Sequence, residues 1–266
     1  MDQALFLPVV VFATLIGLAI GSFLNVVIHR VPAGESIVHP PSHCPSCDRR
    51  IRWYENVPLL SWILLGGKCK GCRAQISARY PLVELLGGLV PLLCLLEFGL
   101  TWKALLGIVM GWNLIALGFI DFETKLVPDV LVLTLGVPGL ILQFLAGSWS
   151  GLLLAVVSSL ILGGFFWLTR KLASLWMGEE AMGMGDVTLA LGIGVYLHPL
   201  FLPVFLLIAS VSVLVAALIW AWARKVSLRE VEIPFGPGLA LGGWVTFMAG
   251  LPLMDGLMRL VQPLLN

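Results

Sequence analysis

The chain has 266 residues, of which 59% are hydrophobic and 12% charged, with a mean hydropathy of +1.00 and a formal net charge of +1. These values exclude an ordinary soluble domain and define an integral membrane protein. The near-neutral balance, with no basic patch interleaved with aromatics, also excludes a nucleic-acid partner.

Apolar segments long enough to cross a bilayer, at about 20 residues each, recur along the chain. They cover residues 5–28, 82–98, 103–121, 129–147, 150–168, 187–201, 203–222 and 237–254. The expected fold is therefore all-α, with about eight transmembrane helices. The sixth segment is the shortest. Because His198-Pro199 and Pro203 follow it, segments six and seven read either as one broken helix or as two short ones. The N-terminus carries Asp2 and no basic stretch, so the first segment reads as a retained helix entering from outside. Basic residues favour cytoplasmic loops. With eight crossings, all but Lys103 and Arg259 of the 16 Lys and Arg fall on one side. Both termini are then expected on the opposite, outer side.

Between the first and second crossings lies the one sizeable hydrophilic region, residues 29–81. It divides the chain into a first helix at 1–28, a small cytoplasmic domain at 29–81 and a membrane domain at 82–266. It carries Cys44-Pro-Ser-Cys47 and Cys69-Lys-Gly-Cys72 with 21 residues between the pairs. Two C-x-x-C knuckles at about this separation read as a tetrahedral structural zinc site, because each pair can chelate from one tight turn. The reducing cytosol disfavours the alternative of two disulfides. A Cys3His site using His39 or His43 is the other alternative. About 50 residues hold too little core to fold well alone, so zinc would act as a staple. Cys94, inside the second crossing, reads as an apolar packing residue.

Two aspartates stand at the rims of apolar segments, where a carboxylate is expensive and is a functional candidate. Asp121 ends the third and Asp186 begins the sixth. These segments run in opposite directions, so the two carboxyls reach the same leaflet. For Asp186 the ordinary alternative is an N-cap, and Asp129, after Pro128, reads as a cap outright. For Asp121 capping fails, because a carboxylate at a helix C-terminus opposes the macrodipole. Gly183 and Gly185 precede Asp186 and permit close approach of an extended backbone. Two carboxyls in one site cannot both ionise cheaply, so one holds a proton while the other activates water, as in aspartic proteases. The helix ends suggest Asp121 as the protonated partner and Asp186 as the base. None of the four histidines lies in a nucleophile motif.

The chain resembles the bacterial type IV prepilin peptidases, bifunctional leader peptidases and N-methyltransferases of the GxGD membrane aspartyl protease group. The resemblance covers nearly the whole length. It is carried by Gly21-Ser-Phe-Leu-Asn-Val-Val-Ile-His-Arg-Val-Pro32, the cysteine knuckles, Tyr80-Pro-Leu-Val-Glu84, Asp121 with Pro128-Asp129, Gly183-Met-Gly-Asp186 and Pro234-Phe-Gly-Pro237. It implies that Asp121 and Asp186 are catalytic and that 82–266 is an aspartyl peptidase domain. It also implies that the substrates are precursors of type IV pilins or type II secretion pseudopilins, in the bacterial inner membrane. These would be cut on the cytoplasmic side after a glycine that precedes an apolar helix. Methylation of the new N-terminus, commonly Phe, with S-adenosylmethionine as donor would follow. No strand followed by G-x-G-x-x-G supports a Rossmann-type donor site. Glu84 is a neighbour candidate for that chemistry, or a rim carboxylate paired with Arg79. A transporter would place acids at several depths, and they cluster at one rim. A zinc-stabilised scaffold would leave Asp121 unexplained.

Overall fold

The computed structural model describes residues 3–177, 182–227 and 233–265. Asp2 and Arg229, and the side chain of Arg259, which enter the charge asymmetry, lie outside the described residues. Among the described residues there are eight α-helices: α1 (Gln3–Arg30), α2 (Leu60–Leu64), α3 (Arg79–Phe98), α4 (Trp102–Thr124), α5 (Asp129–Met177), α6 (Met184–Gly194), α7 (Leu202–Arg224) and α8 (Gly236–Leu265). Six of them, all but α2 and α6, are long and apolar enough to cross a membrane, and the chain is a multi-pass membrane protein. Their outer faces present large apolar side chains such as Phe12, Leu15, Leu160, Leu214 and Ile219. In water this surface would aggregate, whereas against acyl chains it is the solvated face.

Prolines mark where several helices begin. Pro81, Pro203 and Pro237 sit in the first turns of α3, α7 and α8, where a missing N–H costs no helical bond. Ends are set by left-handed residues: α3 stops at Gly99 (φ 64°), and Lys125 (φ 55°) follows α4 with its N–H on the Asp121 carbonyl.

The chain forms two compact units, residues 1–104 and 105–266. In the first, α1 packs along α3 through small residues. A Cβ on Gly87 would stand 2.6 Å from Gly21 Cα, so the backbones touch, as is usual for helices packed in lipid. The loop between them carries two knuckles with the same hydrogen bonds. Cys44 N–H donates to Arg49 and Asp48 N–H to Cys44; Cys69 N–H donates to Ala74 and Arg73 N–H to Cys69. The residue after each second cysteine, Asp48 or Arg73, is left-handed, and single bridges flank the turns at His43–Arg50 and Lys68–Gln75.

In the second unit the eight expected segments resolve differently from eight separate rods. Segments 129–147 and 150–168 run together as α5, which breaks at Ser148 (φ 54°, ψ −147°). A Cβ on Gly151 would lie 2.7 Å from the Gln143 carbonyl, and Phe144 meets Trp149 edge-on at 5.3 Å, so the chain doubles back there. The sixth segment is an 11-residue helix, α6, about 16 Å long. It is too short to cross alone and lies against both halves of α5. Tyr196 Oη donates to Leu135 O at 2.7 Å, Gln143 to Val195 O at 3.1 Å and Ser159 to Leu191 O at 2.7 Å. Segments six and seven are thus two helices, separated by a bend at 195–201 that holds Pro199.

Candidate active site and metal centre

Asp121 lies on the last turn of α4 and is 5% exposed. Its Oδ2 accepts a 2.8 Å hydrogen bond from the N–H of Gly236, the first residue of α8. The expectation that no cap explains Asp121 is therefore corrected. Its side chain opposes the dipole of its own helix but meets the N-terminus of another. A Cβ on Gly236 would sit 2.7 Å from Asp121 Cγ, so only glycine admits this carboxylate. Gly236 was missed as a partner. The signal available was the Gly-Pro start of a helix in Pro234-Phe-Gly-Pro237, which reveals a bare N-terminus but not what faces it.

Asp186 is half-buried in the first turn of α6. The N-cap of α6 is Gly183, so Asp186 is the third helical residue and not the cap, and no side-chain bond caps that terminus. Asp186 lies within electrostatic range of Asp121. The close approach runs through Gly185. A Cβ there would stand 2.8 Å from Val127 Cγ2, so the α4–α5 connection lies directly on the start of α6. Gly183 has an ordinary extended backbone (φ −66°), and a Cβ on it would meet nothing closer than 3.8 Å. Of the two glycines, only Gly185 is required by close packing. Asp129 is exposed at the first residue of α5, whose opening carbonyl, on Pro128, accepts from Leu131 and Val132. The buried Asp121 and the half-buried Asp186 thus lie in one unit, each at a helix N-terminus, α8 for Asp121 and α6 for Asp186. Helix ends therefore do not distinguish the two carboxyls.

The four sulfurs of Cys44, Cys47, Cys69 and Cys72 lie within 4.8 Å of one another and could hold a metal ion. All five cysteines, Cys94 included, are free thiols, so no disulfide competes. Sulfurs about 2.3 Å from a tetrahedral zinc stand about 3.8 Å apart, and Cys44 Sγ to Cys72 Sγ is 3.8 Å. The donor set fits zinc and leaves no position for water. His43 lies outside the cluster, 3.8 Å from Asp48 and 3.2 Å from the Pro41 carbonyl. Backbone N–H groups of Cys72 and Gly71 bring the Cys69 thiol down to about 6, preparing one thiolate. The knuckles are tied by Glu55, whose carboxylate takes Arg49 Nη2 at 2.7 and 2.8 Å, the Arg52 N–H at 3.2 Å and Lys70 Nζ at 3.6 Å. The Arg49 hydrogen bond, followed by the Arg52 N–H and the nearby charges, holds it below the usual carboxylate range.

Glu84 is buried on α3 and its Oε2 accepts from Leu59 N–H at 2.7 Å. The Arg79 pairing weighed for it is not formed; the Arg79 guanidinium lies over the Tyr80 ring, 5.0 Å from its centroid.

Residues 15–98 match the Bacterial Peptidase A24 N-terminal domain, and residues 108–218 match the Type IV leader peptidase family. The chain is 38% identical to the Prepilin leader peptidase/N-methyltransferase of Stutzerimonas stutzeri over 92% of each protein. It is 37% identical to that of Pseudomonas aeruginosa, over 92% of this chain and 91% of the relative, and 38% identical to that of Aeromonas hydrophila, over 89% of each. No solved structure matches the chain. A buried Asp121 with a half-buried Asp186 in one helical membrane unit, a four-cysteine cluster before it, and relatives alike along nearly their whole length place this chain in the type IV leader peptidase family.

Proposed function

We propose that the chain is a membrane-embedded aspartyl endopeptidase that removes the leader of type IV prepilins or pseudopilins and then methylates the new N-terminus. Asp121 and Asp186 are its catalytic pair. The observation that carries this reading is Asp121, buried on the Gly236 amide, with the half-buried Asp186 within electrostatic range. Like charges in such a place favour one shared proton. The ionised carboxylate takes a proton from water as the water oxygen attacks the scissile carbonyl carbon. The protonated partner donates to the carbonyl oxygen, and collapse of the tetrahedral adduct sends a proton to the leaving nitrogen. S-adenosylmethionine supplies the methyl group in the second reaction.

Cys44, Cys47, Cys69 and Cys72 hold a structural zinc that fixes the 29–81 domain, beside a first helix at 1–28 and a peptidase domain at 82–266. With α6 and the bend at 195–201 together taken as one crossing, the excess of basic residues on one side supports an orientation with the active site at the cytoplasmic face of the bacterial inner membrane and both termini in the periplasm. Membrane lipid is then the partner of the exposed apolar faces. The test is incubation of purified Asp121→Asn and Asp186→Asn proteins with a prepilin. Each is expected to lose cleavage; substantial cleavage by either refutes the pair.

A further inference from the structure

The peptidase reaction leaves one buried carboxylate unused. Glu84 is 8% exposed, and its only hydrogen bond among the described residues comes from Leu59 N–H. Leu59 is itself unusual, with φ 60° and ψ −49°, and Leu60 N–H closes back on the Pro58 carbonyl at 2.6 Å. This is the strained form of γ-turn, rare outside glycine and found where surroundings impose it. The Glu84 carboxylate is what holds its amide.

Across the same seam, Asn25 of α1 is 3% exposed. Its Nδ2 donates to the Tyr80 carbonyl at 3.1 Å and to the Gly21 carbonyl at 3.4 Å. Two acceptors on one edge fix which way the amide points. Its Oδ1 is buried and has no partner. Gly21 abuts Glu84, a Cβ on it falling 2.7 Å from Glu84 Cα, and Asn25 lies one turn further along α1 against Tyr80, one turn before Glu84. A carboxylate with a single donor, the Leu59 N–H, and an orphaned amide oxygen on adjacent turns leave acceptor capacity unfilled. Such a place calls for a ligand that brings both positive charge and N–H groups, namely a primary amine. The same short helix that follows Leu59 carries Trp62, which walls a cavity of about 500 Å³ with Gly67, Lys68, Gln75 and Ala78. That volume is in the range of a nucleoside-sized second reactant.

We propose that Glu84 and Asn25 bind the α-amine released by cleavage and present it for methylation. This rests on the methyltransferase reading given above. The ammonium first gives one proton to water. The nitrogen lone pair then forms the N–CH3 bond as the S–CH3 bond of the donor breaks, its electrons remaining on sulfur. The positive charge passes to the methylated nitrogen, beside the Glu84 carboxylate.

The test uses full-length protein in detergent with a prepilin and S-adenosylmethionine, reading leader removal and the one-methyl mass shift separately. Glu84→Gln keeps an oxygen for the Leu59 amide but removes the charge. Cleavage should stay within about twofold, while methylation falls about 10–100-fold with a raised KM for pre-cleaved pilin, the loss of a hydrogen bond to a charged group. Asn25→Ala should do the same more weakly. Normal methylation by Glu84→Gln, or equal loss of both activities, overturns the proposal. Wild-type protein that cleaves but never methylates removes the reading on which it rests.

Discussion

Replacing Gly236 by Ala tests the site at its tightest point. The added Cβ would stand 2.7 Å from Asp121 Cγ and 2.9 Å from its Cβ, where ordinary contact begins at 3.4 Å. The carboxylate, the start of α8, or both must move by about 0.7 Å. Displacements of about 1 Å cost roughly 100-fold in positioned chemistry, or about 2.7 kcal/mol in the barrier. The clash itself costs about 1–3 kcal/mol of stability, as for other overpacked sites. The assay is kcat and KM for a prepilin substrate, with Tm measured on the same preparation. Gly236→Ala keeps the N–H, so the expected result is a kcat about 100-fold lower with the protein still folded. A kcat within a few-fold of wild type would show that Asp121 need not be held where α8 holds it.

The remaining expectations concern the neighbouring glycines and the cysteine loop. Gly185→Ala should impair cleavage because its Cβ strikes Val127 at 2.8 Å, and adding Val127→Ala should restore much of it. Gly183→Ala should leave cleavage within a few-fold; kinetics on the three proteins check this. Cys69→Ser should abolish stoichiometric zinc, measured by metal analysis, and open residues 31–78 to limited proteolysis. Glu55 lies below the usual carboxylate range because of Arg49, so its stabilising effect is complete above the unfolded value of about 4.3 and is lost as pH falls through the folded pKa. Glu55→Gln should remove this acid-side loss, read as protease resistance of the loop between about pH 5 and 3.

What could be read from sequence was whatever depends on spacing and composition. The knuckles declared themselves because chelation from a tight turn needs two cysteines three positions apart, wherever the rest of the chain goes. Asp121 and Asp186 stood out because a charge beside an apolar run is costly in any packing. Hydropathy located the membrane segments but could not reveal that 129–177 folds back at Ser148, since nothing in a serine announces a positive φ. Nor could it show that α6 ends after 11 residues; that is decided by Tyr196 and Gln143 reaching across to α5 and its end. The hydrogen bond from Gly236 to Asp121 joins residues 115 positions apart. Such a contact is tertiary and leaves no local pattern. The same holds for Glu84, whose obvious neighbour was Arg79 but whose partner is an amide 25 positions away.

The matching hydrogen bonds of the two knuckles have a practical corollary. Each turn closes on itself, from Cys44 to Arg49 and from Cys69 to Ala74. The ligand geometry is thus written twice in short, autonomous stretches. The exposed tip at Ile63 and Leu64 in the intervening strip should then accept a foreign epitope or fluorescent tag without disturbing the thiolate tetrahedron. It offers a handle for watching this loop while the enzyme works.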